Sequence, residues 1–355
     1  MQEKFAPRSR ETEKSLFFAK EAAVSDVPSE EIVEKVRHCM SATMARPVHR
    51  VQSLWSGYGS IWRFELRGAA AQSVILKSVT PPSARRHPRG WTSDVSHQRK
   101  LRSYEVEKNW YQNFTERCNE ICRVPGVELL ENVGDSWLFV LEDLNAAGFS
   151  ERPSLLNEAE ILACITWLAR FHARFLFSKP EGLWDVGTYW ELGTRPEELS
   201  VMRDESLRRA APLLDAALNG AKYQTFVHGD AKIANFCFPE RDADSACAAV
   251  AAVDFQYVGG GVGVKDLAYF LSSCFDERGL QKYATRWCDE YFSLLVAAIE
   301  REHASVDARA VEAEWRTLYP VAWGDFVRFL NGWAPGHSKL HGYSLTMTQT
   351  ALAQV

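Results

Sequence analysis

Two short stretches near the middle of the chain constrain everything else. Val227-His228-Gly229-Asp230-Ala231-Lys232-Ile233-Ala234-Asn235 is followed, after a turn at Pro239–Asp244, by Ala248-Ala249-Val250-Ala251-Ala252-Val253-Asp254-Phe255-Gln256. An Asp and an Asn five residues apart, on a loop before a strand, reach opposite sides of one pocket. A second Asp at the end of the return strand faces the same place. Two oxygen ligands from different segments suit Mg²⁺, which takes few protein ligands and shares substrate phosphates. The remaining Asp stands where a hydroxyl proton has to go, and Lys232 neutralises phosphate charge. A positioned nucleophile, a metal on the phosphates and a cation are what phosphoryl transfer needs.

The rest of the chain is patterned to hold such a pocket. Residues 1–28 read as a polar arm, and Ser29–Met44 as a helix capped by Ser29. Val48–Trp55, Ile61–Leu66 and Ser73–Val79 read as strands, the first two joined by a hairpin turn at Ser56-Gly57-Tyr58-Gly59-Ser60. A Pro- and Arg-rich loop is expected from Pro81 to about Lys100, a helix over Leu101–Phe114, and a strand over Ser136–Leu141. Asn157–Phe177 has a capping-box pattern and a 3.6-residue apolar period. Asp266–Cys274, Gln281–Glu300, Val311–Leu318 and Val321–Leu330 also read as helices. Strands first and helices later imply an α+β chain: a 1–44 arm and helix, a sheet-rich lobe at 45–145 and a helical lobe at 146–355, with a cleft between the lobes.

Composition excludes several classes. The 355 residues carry 41 basic and 46 acidic side chains, a net charge of −5, which argues against a nucleic-acid partner held by phosphate contacts. No apolar run approaches the ~20 residues of a membrane span. The polar N-terminus has no apolar core of a secretory signal. The eight Cys are scattered without a C-x-x-C pair, which suits free thiols in a reducing cytosol. Cys118 and Cys122 have helical spacing but no neighbouring His to activate a thiolate. No obligate protein partner is evident, and a cytoplasmic location is expected.

The loop resembles the H-G-D-x-x-x-x-N motif of the aminoglycoside phosphotransferase and choline kinase superfamily, relatives of protein kinases. Asp254-Phe255-Gln256 resembles that group's D-F-[GQ]. The Leu-Glu-Asp-Leu at Leu141–Leu144 and the Asp266–Leu271 stretch are similar to the ecdysteroid-kinase-like (CHK kinase-like) branch. The resemblance covers roughly residues 48–340 and implies a two-lobed protein-kinase-like fold, an antiparallel-sheet N-lobe on a mainly helical C-lobe. It implies Asp230 as catalytic base, Asn235 and Asp254 as Mg²⁺ ligands, and His228 as a brace for the loop. Lys77, in a strand like V-A-I-K, would pair the α/β-phosphates of ATP. Its carboxylate partner would be Glu107 or Glu105, which lie about 200° apart on one helix, so only one faces it. Gly57 and Gly59 would form the phosphate-covering hairpin, or a plain turn. Glu142 and Leu144 would present backbone groups to the adenine. Asp266 reads as a helix N-cap that also ties down the catalytic loop.

Asp266 lies twelve positions after Asp254, with Gly259, Gly260, Gly261 and Gly263 between them. No A-P-E platform for a polypeptide follows, which favours a small-molecule hydroxyl acceptor. The glycines either let the segment close over that acceptor or form a tight loop. The acceptor pocket is expected in the C-terminal helices, around Trp323–Arg328 and Trp333–His337. An aromatic-acidic pocket suits an amine, an aromatic-apolar one a sterol-like alcohol, and plain core packing is the third reading. The basic stretch Arg85, Arg86, His87, Arg89, Arg99, Lys100 and Arg102 reads as a solvated loop or an anion-holding one. The function expected is transfer of the γ-phosphate of ATP to a steroid-, choline- or aminoglycoside-like alcohol. The alternative is a catalytically weak nucleotide-binding protein with a regulatory role.

Overall fold

The computed structural model describes residues 27–54, 57–81, 94–118, 122–133, 136–241 and 249–355. The arm up to residue 26, Trp55 and Ser56, the cations Arg85, Arg86, His87 and Arg89, Cys247 and the turn after Arg241 lie outside the described residues.

Five antiparallel strands form the first half. β1 (Met44–Ser53), β2 (Gly59–Arg67), β3 (Ser73–Val79), β4 (Val127–Val133) and β5 (Ser136–Glu142) stack in the order β1-β2-β3-β5-β4. The two-residue period of β3 divides its side chains. Val74 and Leu76 bury with Phe64, Leu66, Leu138 and Val140 under helix α1 (Glu30–Cys39). The other face carries Lys77 and Val79, opposite Phe139 and Trp137 of β5. Helix α2 (Asp94–Asn113) supplies Tyr104, Trp110 and Tyr111 to the core beneath that face.

Several boundaries differ from the sequence reading. The first helix stops at Cys39, and Met44 already opens β1. The expected loop to Lys100 is cut short, because α2 begins at Asp94. Its first turns offer only the exposed Val95 as an apolar mark, and polar contacts of His97 to Tyr58 and of Arg99 to the Thr194 carbonyl hold them. β4 was missed: the alternating Val-Glu-Leu-Leu-Glu-Asn-Val carries too many Glu to read as a strand, yet it pairs with β5 along its length.

The second half is mainly helical: α3 (Glu158–Arg174), α4 (Pro196–Val201), α5 (Glu205–Asn219), α6 (Val264–Cys274), α7 (Glu277–Glu302), α8 (Ala308–Trp333) and α9 (Gly342–Leu352). Asn157 and Glu160 close the capping box on α3. The break expected before Val321 does not occur, since Pro320 lies inside α8. An internal Pro costs about 3 kcal/mol, but Val321, Trp323 and Phe326 are almost wholly buried just beyond it. Each such side chain contributes about 1.5–3 kcal/mol, so packing outweighs the lost hydrogen bond. Two small two-stranded sheets, β6 (Thr225–Val227) with β9 (Gly259–Gly261) and β7 (Phe236–Cys237) with β8 (Ala251–Ala252), frame the loop that carries Asp230.

An aromatic block joins the halves. The Trp110 ring of α2 stacks on Phe255 at 4.5 Å, and Phe171 and Phe175 of α3 pack around it. Among the described residues no helix is long and apolar enough to cross a membrane.

Candidate active site

The loop after β6 is fixed from below. Asp266 sits in the first turn of α6, fully buried, and is not the N-cap expected of it. Its carboxylate accepts the backbone N–H groups of His228 at 2.5 Å and Gly229 at 3.0 Å, and faces His172 Nε2 at 3.2 Å. His228 is buried within the loop. Its Nε2 donates to the Val253 carbonyl at 3.1 Å and its Nδ1 accepts the Asp230 N–H at 3.3 Å, so the ring spans both segments. Gly229 has φ +80°, and a Cβ there would lie 2.1 Å from the Tyr257 carbonyl. Gly229→Ala is therefore expected to destabilise by several kcal/mol, as strain at a left-handed position adds to backbone overlap. A denaturation midpoint within about 1 kcal/mol of wild type would contradict that.

A single 3-10 turn, Ile233–Asn235, brings Asn235 back onto Asp230. Asn235 Nδ2 donates to the Asp230 carbonyl at 2.8 Å and to Oδ2 at 2.9 Å, which turns its Oδ1 away from that carboxylate. Lys232 Nζ reaches the same Oδ2 at 2.8 Å. Asp254 follows β8 with φ +69°, a conformation that Asp tolerates better than most residues. Its Oδ1 is buried and has no hydrogen-bond partner. Buried carboxylate oxygens are almost always partnered, so this oxygen is open to a water, a cation or a ligand donor.

Lys77 donates to both oxygens of Glu107, at 2.8 and 2.6 Å, and both side chains are buried. Glu105 points elsewhere, to Arg102 at 3.0 Å. Lys100, a residue that sequence reasoning left among solvated cations, is on the same helical stripe as Glu107. It donates to Gln256 Oε1 at 2.7 Å and lies 4.7 Å over the Tyr104 ring. Arg99 donates to the Thr194 carbonyl and Arg102 to that of Leu183. These three are helix residues tied to the second half, so the loop reading fails for them. A helix begun at Asp94 and read at a seven-residue spacing from Glu107 would have found Lys100.

Charge separates the two aspartates. Burial pushes both carboxyls up. For Asp254 the ammonium groups of Lys77, Lys100 and Lys232 outweigh burial and hold it below the usual range. Asp230 stays raised despite Lys232. Burial also brings Lys100 down to about 8. The surroundings thus displace the two carboxyls in opposite directions.

The remaining predicted residues are placed as follows. Gly59 has φ +130° and would put a Cβ 2.0 Å from the Ser78 carbonyl, whereas Gly57 at φ +74° has open space around it. Tyr58 between them packs on Tyr104 at 6.0 Å. The Glu142 side chain pairs with Arg123, and its backbone N–H is spent on the Gly126 carbonyl. The Leu144 carbonyl accepts from Phe149, while its buried N–H has no acceptor among the described residues. Asp143 between them takes Arg63 at 2.7 Å and Ser73 at 2.8 Å, which locks the connection between lobes.

Two expectations about the acceptor side are corrected. The glycine segment is a packed strand rather than a mobile flap, because a Cβ on Gly259 would lie 2.2 Å from the Trp184 carbonyl. Asp325 is buried and already held by Arg328 at 2.6 Å and Trp190 Nε1 at 3.0 Å, and Trp323 is core, so neither forms an amine pocket. Burial raises the Cys118 thiol well above its ordinary value, which fits no thiol chemistry.

Among the described residues no three His, Cys, Asp or Glu side chains gather into a metal cage. Asn235 and Asp254 with the orphaned oxygen fit an ion that takes its other ligands from a substrate.

No curated protein matches the chain. Among solved structures, a choline kinase from Cryptosporidium parvum is 10% identical, with a TM-score of 0.49 over 92% of this chain and 94% of that one. A microcompartment-associated aminopropanol kinase is 14% identical, TM-score 0.48, over 91% and 95%. An aminoglycoside phosphotransferase from Streptomyces rimosus, solved with ADP and streptomycin, is 16% identical, TM-score 0.43, over 82% and 98%. Residues 187–303 match the model of the Ecdysteroid kinase-like family, about a third of the chain, and this stretch holds Asp230, Asn235, Asp254 and Asp266.

Proposed function

We propose that the protein transfers the γ-phosphate of ATP to a hydroxyl of a small molecule. The observation that carries this reading is the orphaned Asp254 oxygen amid Lys77, Lys100 and Lys232. One unpartnered anion inside a ring of ammonium groups suits a metal–polyphosphate better than a purely structural core.

Each residue has a role in this reading. Residues 45–145 form the nucleotide half and 146–355 the acceptor half. The Leu144 N–H and neighbouring backbone meet the adenine edge. Lys77, held by Glu107, pairs the α/β-phosphates, and Lys100 adds a second cation beside them. The Gly57–Gly59 hairpin covers the phosphates. Asn235 Oδ1 and Asp254 hold Mg²⁺, which when bound neutralises charge on the β/γ-phosphates. Asp230 Oδ2 is engaged by Lys232 and Asn235, so Oδ1 is the oxygen that orients the acceptor hydroxyl and receives its proton. Lys232 balances charge as the proton moves, and His228 keeps the loop in register.

The testing experiment is ADP release from Mg-ATP on adding a pooled extract of small metabolites and sterols. Extract-dependent release is expected; ATP binding without it would favour the catalytically weak nucleotide-binding reading. Asp254→Ala is expected to remove the Mg²⁺ dependence of nucleotide affinity. Titrations of a nucleotide with and without Mg²⁺ read this directly, and an unchanged Mg²⁺ effect would defeat the metal assignment.

A further inference from the structure

The acceptor side of Asp230 already contains a cation of the chain's own. Lys339 lies in the connection between α8 and α9, with its backbone fixed at both ends: its N–H donates to His337 Nδ1 at 3.1 Å and its carbonyl accepts from the buried Ser344 hydroxyl at 2.8 Å. The side chain turns inward. Nζ donates to Ser272 Oγ at 3.0 Å and sits 4.8 Å over the Tyr269 ring and 5.6 Å over Phe326. Tyr269 and Phe326 meet edge to face at 5.2 Å, and Tyr189 joins Tyr269 at 5.5 Å.

This cluster lies away from the metal pole. Lys339 feels the charges of Asp230 and Lys232. Lys100 on the other side feels Asp254, Lys77 and Glu107 as well as Asp230. The Tyr189 N–H donates to the Gly229 carbonyl at 3.1 Å, and Ser273, beside Ser272, accepts the Ile233 N–H at 3.2 Å, so the cluster abuts the loop that carries Asp230. A molecule touching Lys339 is therefore the acceptor rather than the nucleotide.

Two facts set what that molecule is. Aromatic faces arranged like this attract a ligand ammonium, but here an internal ammonium fills the position. No carboxylate pairs with it directly: among the described residues Lys339 forms no ion pair, Asp230, whose charge it feels, has its Oδ2 on Lys232 and Asn235, and Asp325 is held by Arg328. Lys339 is half-buried, and an ammonium partly withdrawn from water without a directly paired counter-ion carries a desolvation cost. Two of its three N–H donors remain for a ligand.

We propose that Lys339, framed by Tyr189, Tyr269 and Phe326, is the specificity-determining residue of the acceptor site, and that it selects alcohols bearing an oxyanion while rejecting amino alcohols. This rests on the phosphotransfer reading, and two separate titrations keep the failures apart. Mg²⁺ with a non-hydrolysable ATP analogue is titrated first, and absence of binding there defeats the phosphotransfer reading alone. The acceptor side is then probed by calorimetry with three compounds of one skeleton: 4-hydroxyphenylacetate, the neutral 4-hydroxyphenylethanol and the cationic tyramine.

The anion is expected to bind most tightly and tyramine least. Lys339→Met is expected to weaken the anion about tenfold or more, as loss of a charge-assisted hydrogen bond does, and to narrow the gap to tyramine. Lys339→Arg, which keeps the charge, is expected to retain the preference. Tyramine or the neutral alcohol binding as tightly as the anion would overturn the proposal. So would an anion affinity unmoved in Lys339→Met, or no binding by any of the three. Thermal melts of both variants show whether a loss reflects folding, and the order of the three probes on wild-type protein decides the matter independently of them.

Discussion

Asp230→Asn is expected to lower acceptor-dependent ADP release by about 10²–10⁴-fold, the usual contribution of a positioned general base. The substitution is nearly isosteric, and the side-chain oxygen can still accept from Lys232 or Asn235, so the 3-10 turn at Ile233–Asn235 keeps its shape. What is lost is the charge that draws the hydroxyl proton. Nucleotide affinity is expected to change little, because Lys77, Lys100 and Asp254 hold that side of the cleft. The paired measurement is turnover against nucleotide binding in one preparation. Equal losses in both would mean that the substitution disturbs the loop. A loss in neither would remove Asp230 from the chemistry.

Asp266→Ala is expected to destabilise the fold by about 3–5 kcal/mol, the range for removing one partner of a buried charged network. The arithmetic is local. Two buried backbone N–H groups, of His228 and Gly229, lose their acceptor, and His172 Nε2 loses its partner. Each unsatisfied buried donor costs about 1–3 kcal/mol. Asp266→Asn keeps one acceptor oxygen and is expected to fall between wild type and Ala. Denaturant midpoints of the three proteins give the ranking. A shift under about 1 kcal/mol for Ala would mean that the loop's N–H groups find other acceptors, and that the anchoring role assigned to Asp266 is wrong.

Much of the fold was legible because its signals are local. The capping box at Asn157 and Glu160, the apolar, β-branched run in Ser73–Val79 and the short spacing of Asp230 and Asn235 need only neighbours within one turn or strand. Lys77 was singled out by the likeness of that strand to V-A-I-K, and in the structure it pairs with Glu107 and not with Glu105. What stayed hidden depends on distant partners. β4 is a strand because β5 lies beside it, not because of its own composition. α8 runs through Pro320 because buried side chains beyond the break outweigh the broken bond. Lys100 looked solvated because its partner, Gln256, is 156 residues away in sequence. Lys339 gave no signal at all, since its ring neighbours and Ser272 come from α6 and α8. Asp266 was read both as a helix cap and as a tie on the loop; the cap fails, while its oxygens do accept from His228 and Gly229 of the loop.

The stack of Trp110 on Phe255 bears on how inhibitors of this protein should be designed. In this fold α2 carries Glu107, and Phe255 directly follows Asp254, so the stack couples the helix to the metal-side segment. A compound that needs α2 swung outward would have to unstack those rings and strip Glu107 from Lys77 in the same movement. The extra work would come out of its affinity. Under the proposed function, compounds that bind beside Leu144 and leave α2 in place meet no such barrier, and they are the better starting scaffolds.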